Sequence, residues 1–195
     1  MSVDAANAMR LKAFATLIIG LLALVSGCAT TPEITDAVHT ELVSPYRLDS
    51  GDRLRVIVFG QSDLSNAYVV DQAGAVIIPL IGAVPARGRT TAEVETEVAA
   101  RLRNGFIRNP DVSVEVDRYR PFFAMGEVGV AGQYTYVPGM TVQQAIAVAG
   151  GFTPRADKSS VQVTRSVAGA VATATLYLSD PVAPGDTIYV RERLL

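Results

Sequence analysis

Between residues 90 and 103 the apolar positions Val94, Val98 and Leu102 recur every four residues. Between residues 112 and 117 the period drops to two, with Val112, Val114 and Val116 alternating with Ser113, Glu115 and Asp117. The first period predicts a helix with one buried face, the second a strand with one face in a core. Thr90 and Glu93 have capping-box spacing at the helix start, and the acids Glu93, Glu95 and Glu97 precede Arg101 and Arg103, as the helix dipole favours. Asn104-Gly105 ends the helix, and Asn109-Pro110 leads into the strand. Upstream, the turn signal Ser50-Gly51-Asp52 feeds a β-branched and aromatic strand over residues 53–59. Asp71-Gln72-Ala73-Gly74 reads as a hairpin connection into a further strand over 75–80, where Pro79 marks an edge or a strand end.

The same plan recurs after Tyr119-Arg120-Pro121, which is read as a domain boundary. Residues 122–125 and 133–137 predict strands on either side of a Gly126 to Gly132 connection. Thr141 and Gln144 repeat the capping box, and Val142, Ala145, Ile146 and Ala149 give a helix face of small residues closed by Gly150-Gly151. Strands over 161–165, 172–178 and 187–190 complete the pattern. Gly51-Asp52 is echoed by Gly185-Asp186, each pair launching a strand. The fold class is α+β: two small mixed-sheet domains, residues 46–118 and 119–195, each with one helix on its sheet. A single continuous domain is the alternative.

The N-terminal residues follow another logic. A basic lead with Arg10 and Lys12 precedes an uncharged apolar run, residues 13–25, and then Ser26-Gly27-Cys28. This is the layout of a cleaved secretory signal, residues 1–27, and the run falls short of the ~20 residues that span a bilayer. Leu24-Val25-Ser26-Gly27-Cys28 resembles the lipobox of bacterial lipoproteins, which implies acylation of Cys28. Several acyl chains at ~0.8 kcal/mol per buried methylene would hold such a protein firmly on a membrane. Residues 28–45, rich in Thr, Ala and Pro, read as a tether.

Composition narrows the chemistry. The 195-residue chain has formal charge −2 and no basic stripe, which argues against a nucleic-acid partner. One cysteine permits no disulfide or thiolate metal site within the chain. The one histidine, His39, lies in the tether, so neither a Ser-His-Asp triad nor a histidine metal site is expected. No cofactor is implied. Glu115 and Asp117 lie on one strand face, where a glycosidase pair can be imagined, but alternation on a solvent face explains them more simply. Asp52 and Asp186 read as turn caps for backbone amides. Glu127, between Gly126 and Val128, reads as a structural charge within a strand connection. Tyr119, Phe122, Phe123, Tyr134 and Tyr136 crowd the boundary and suggest contact between domains or subunits, although such rings also stack on sugars.

Several motifs in order resemble a known family. Tyr46-Arg47-Leu48-Asp49-Ser50-Gly51-Asp52 resembles the opening of the polysaccharide export domain; Ile78-Pro79-Leu80-Ile81-Gly82 and Asn109-Pro110-Asp111-Val112-Ser113-Val114 resemble its later segments. Gly126-Glu127-Val128, Gly132-Gln133-Tyr134, Thr141-Val142 and Ala149-Gly150-Gly151 resemble the soluble-ligand-binding β-grasp domain that follows it in outer-membrane polysaccharide exporters of the Wza type. The resemblance implies a β-grasp-like second domain and a lipoprotein anchored in the outer membrane, facing the periplasm. It also implies a homo-oligomeric ring that passes capsular polysaccharide or exopolysaccharide and docks on an inner-membrane polysaccharide co-polymerase, with no catalysis. Members of this type continue into a pore-forming helix that this sequence lacks, so the expectation is either a short form that makes only the periplasmic part or a separate protein that supplies the outer-membrane channel. The competing readings are a monomeric glycan-binding lipoprotein and, more distantly, an envelope glycosidase or lyase.

Overall fold

The computed structural model describes residues 45–167 and 170–193. The signal segment, Cys28, His39 and the tether through residue 44 lie outside the described residues. Strand β1 (Arg53–Val58) buries Leu54, Val56 and Val58 and turns Arg53, Arg55 and Ile57 outward. It is the centre of a three-stranded antiparallel sheet, flanked by β2 (Asn66–Val69) and β5 (Val112–Arg118). Strands β3 (Ala75–Ile78) and β4 (Gly82–Pro85) form a separate antiparallel hairpin. Helix α1 (Thr91–Arg103) closes this first core with Val94, Val98 and Leu102, all fully buried. Its start is fixed by the capping box: the Glu93 amide donates to Thr90 Oγ1, and the Thr90 amide donates to the Glu93 carboxylate.

The second core is built on a five-stranded mixed sheet of order β7-β6-β10-β8-β9. Its strands are β6 (Phe122–Gly126), β7 (Gly132–Tyr134), β8 (Ser160–Val167), β9 (Ala170–Tyr177) and β10 (Thr187–Val190). The β6–β10 pair is parallel and the others antiparallel. Helix α2 (Val142–Val148), capped by Thr141 and Gln144, lays Val142, Ala145 and Ile146 on Phe122, Val161, Leu176 and Ile188. A mixed sheet grasping one helix is the β-grasp-like arrangement of the expected α+β class. Two small domains are thus present, with separate cores, held within one compact unit.

Two sequence expectations need correction. Residues 71–74 form a turn, in which the Gly74 amide donates to Asp71, but not a hairpin: β2 pairs with β1 and β3 with β4. Strands β2 and β4 carry weak local signals, and it is their neighbours that make them strands. The strand expected over 133–137 stops at Tyr134, because Tyr136 leaves the sheet to meet the ring of Tyr119 edge-on at 5.5 Å.

Candidate functional site at the junction of the two modules

The two Gly-Asp turns are the same device built twice. In each, the aspartate amide donates to the carbonyl three residues back, from Asp52 to Asp49 and from Asp186 to Ala183. In each, the carboxylate then accepts the amide of that same earlier residue, at 2.8 Å in both turns. A short polar side chain that closes its own turn holds the entry angle of the strand that follows. Both aspartates are fully buried, so each needs a compensating donor.

Those donors differ. Asp186 is met by the Arg165 guanidinium in a bidentate pair, Nε to Oδ1 at 2.7 Å and a terminal nitrogen to Oδ2 at 2.6 Å. Arg165 lies on β8 at the inward parity set by Val161 and Val163 and is itself buried. A fork matched to a carboxylate is the geometry that makes a buried arginine tolerable. Asp52 instead accepts the Tyr46 hydroxyl at 2.6 Å and the Arg120 backbone amide at 2.9 Å.

Arg120 ties the turns together. Its amide binds Asp52, its Nε donates to the Pro184 carbonyl at 3.0 Å, and its terminal nitrogen pairs with Asp49 at 3.2 Å. The boundary residue is therefore the clasp between the modules. Gly185 is shaped around it: a Cβ there would lie 2.5 Å from Arg120 Nε, and its φ of +85° is one that L side chains rarely adopt. Beside the clasp, Tyr46, Tyr119 and Tyr136 form a ladder of edge-on rings, at 5.0 and 5.5 Å. Burial raises the pKa of all three phenols, and the Asp52 carboxylate adds to the effect at Tyr46 and Tyr119. These are neutral, interlocked rings at a joint.

The other motif residues fall elsewhere. Gly126 presses on the end of β10, where a Cβ would lie 2.1 Å from the Val190 carbonyl oxygen. The Glu127 carboxylate accepts the Thr153 hydroxyl, and its amide donates to Val190, which braces the loop after β6. Gly150 and Gly151 follow α2 and lie against that same loop: the Gly129 amide donates to the Gly151 carbonyl and the Val130 amide to Ala149. Gly132 opens β7. Pro79 follows β3 and Gly82 opens β4, flanking a tip in which Leu80 holds a left-handed φ of +71°. Pro110 precedes β5. Glu115 points outward, and Asp117 is held by Arg53 and Arg55, each at 3.1 Å, on the solvent face of the first sheet.

The motif residues thus form turns and joints and do not converge on a reaction centre. Among the described residues no group of three or more His, Cys, Asp or Glu is placed to hold a metal, and no helix is long and apolar enough to cross a membrane. Sequence reasoning missed Tyr46, Arg120 and Arg165 as functional parts. Arg165 had a legible signal: an arginine in phase with buried valines on a strand requires an acid.

Comparison with known proteins supplies the family. Residues 40–117 match the model described as polysaccharide biosynthesis/export protein, and residues 125–177 match the SLBB domain. The exopolysaccharide production protein ExoF of Rhizobium meliloti is 37% identical over 119 residues, 55% of this chain and 28% of that protein. The EPS I polysaccharide export outer membrane protein EpsA of Ralstonia nicotianae is 33% identical over 133 residues, 65% of this chain and 34% of the relative. Its namesake in Ralstonia solanacearum is 30% identical over 150 residues, 63% and 39% respectively. The chain spans roughly a third of the length of these curated relatives. The two matched segments fall on the two cores, on either side of the Arg120 clasp, and give this chain a segment similar to polysaccharide biosynthesis/export proteins followed by one that matches the SLBB domain.

Proposed function

We propose that this protein is a subunit of a machine that exports exopolysaccharide or capsular polysaccharide across the outer membrane. The observation that carries the reading is the succession of the two matched modules, in order and separated only by residues 118–124, in a chain with relatives named for polysaccharide export. On this reading residues 46–118 and 119–195 are the two functional domains. The protein is held at the outer membrane by acylated Cys28 and faces the periplasm. Copies close into a ring around the passing polymer and dock on an inner-membrane polysaccharide co-polymerase. The role is transport: a carboxylate closing a turn, a clasp and a ring ladder hold shape and transfer no groups.

The test is a deletion strain carrying either the wild-type gene or Cys28→Ser. Deletion is expected to abolish surface polysaccharide while polymer accumulates in the periplasm. The Cys28→Ser protein is expected to leave the membrane fraction and to restore export poorly. Normal secretion in the deletion strain refutes the export role, and Cys28→Ser protein that stays membrane-bound in high salt refutes the anchor.

A further inference from the structure

The sheet edges of this protein are not treated alike. An edge strand presents unpaired amides and carbonyls that invite another chain, and folds usually blunt it by charge, shortness or a cover. The free side of β5 is covered by α1, where Glu95 accepts the Val114 amide at 3.2 Å. On β4 the Arg101 guanidinium takes the Ala83 carbonyl. Strand β2 is only four residues long. Strand β9 is covered only at its last residue, where the Tyr177 amide donates to the Asp180 carboxylate at 2.7 Å.

It is the outermost strand of the second sheet, eight residues long, in unbroken register with β8 from Ser160↔Tyr177 to Val167↔Ala170. Its sequence, Ala-Val-Ala-Thr-Ala-Thr-Leu-Tyr, contains no charge, proline or glycine. Val171 is 76% and Tyr177 63% exposed. Alternating amide and carbonyl groups along such an edge are matched by an extended polypeptide and by no other common ligand class.

The opposite edge of the same sheet, β7, is also uncharged. Strand directions follow from the pairing. β9 is antiparallel to β8, β8 to β10, β10 is parallel to β6, and β6 is antiparallel to β7. Strand β9 therefore runs with β6 and against β7. If a second copy is placed beside the first by rotation about an axis along the strands, its β7 meets β9 antiparallel, the more stable mode of pairing. Because the two edges differ, the contact is head-to-tail and repeats in one sense, the condition for a closed ring.

We infer that β9 of one copy pairs with the β7 edge of the next, residues 132–134, so that the second-module sheets join into a continuous band between subunits. This rests on the ring in the proposed function and assigns its interface. The band would turn one uncharged surface to one side, carrying Phe123, Met125, Gln162, Thr175, Tyr177 and Tyr189.

The test uses the full chain extracted in detergent. Val171→Lys with Thr175→Lys puts two charges on the edge at exposed positions without touching the core. Sedimentation is expected to show a closed assembly for the wild type and a monomer for the variant, with matching far-UV circular dichroism and thermal midpoints. In a second arm, Gln133→Cys with Thr175→Cys, treated with a short bis-maleimide, is expected to give a ladder of multimers absent from the parent. A lysine variant that still assembles overturns the interface while leaving the ring intact. Thr175→Cys alone giving dimers above the parent shows β9 pairing with itself and also overturns it. A wild-type chain that is monomeric at every concentration overturns the ring itself.

Discussion

Replacing Asp186 with asparagine removes one charge from a carboxylate that is fully buried, and leaves the shape of the turn in place. Asparagine still offers an oxygen to the Ala183 amide, so the self-closed turn survives. What is lost is the partner of Arg165, a guanidinium only 3% exposed. Breaking a buried ion pair from one side costs about 3–5 kcal/mol, because the surviving charge remains in a medium that solvates it poorly. A domain of this size is stable by about 5–15 kcal/mol, so the loss is a large part of the whole. With a urea slope near 2 kcal/mol per molar, the unfolding midpoint should fall by about 1.5–2.5 M. The chain has no tryptophan, so far-UV circular dichroism is the suitable signal. The cause is separated from the size of the effect by Arg165→Met with Asp186→Asn, which removes both charges and should recover most of the loss. A shift below about 0.5 M for the single variant, or a double variant as weak as the single, would refute the claim that charge burial dominates at this turn.

Tyr46→Phe deletes the hydroxyl bound to Asp52 and should cost on the order of 1–2 kcal/mol, read by urea unfolding at neutral pH. The same residue sets an alkaline limit. Its folded pKa is raised above the ordinary 10.0, first by burial and then by Asp52, so this stabilisation is full below pH 10 and falls as pH rises beyond it. The phenylalanine variant should lose stability less steeply above pH 10, and an identical slope would contradict the assignment. Gly126→Ala should cost more than about 3 kcal/mol, since its methyl would sit 2.1 Å from the Val190 oxygen, whereas Gly82→Ala, with nothing within 4 Å, should cost only the backbone strain of about 1–2 kcal/mol. Leu80→Gly should raise the melting temperature by about 2–4 °C, because it releases a leucine from a left-handed φ, and a lower melting temperature would show that the exposed side chain stabilises the tip.

What could be read from the sequence was local. Both helices were legible because a capping box lies within four residues and an apolar stripe within four turns; Thr90 with Glu93 and Thr141 with Gln144 sit as expected. Strands with strong alternation, β1 and β5, were legible for the same reason. Pairing was not. Gly82-Ala83-Val84-Pro85 contains two residues that disfavour strands and becomes β4 only because β3 lies beside it. The parallel match of β6 to β10 joins segments some sixty residues apart, which no local pattern encodes. The echo of the two Gly-Asp turns was visible as letters, but its meaning was not. That one aspartate would be answered by a buried guanidinium and the other by a phenol and a backbone amide depends on what the fold brings to each. Arg120 was read as a boundary because Arg-Pro interrupts a pattern, and the structure makes the interruption the point of greatest connection.

The clasp has a mechanical consequence. The peptide that crosses from one core to the other is itself a ligand of the first turn, and its side chain is a ligand of the second. Bending there would break both attachments together and unstack the rings beside them. The chain thus has a stiff elbow between its two cores. The curvature of anything tiled from it is written into the single subunit, and loosening Arg120 would change the number of tiles before it changed either tile.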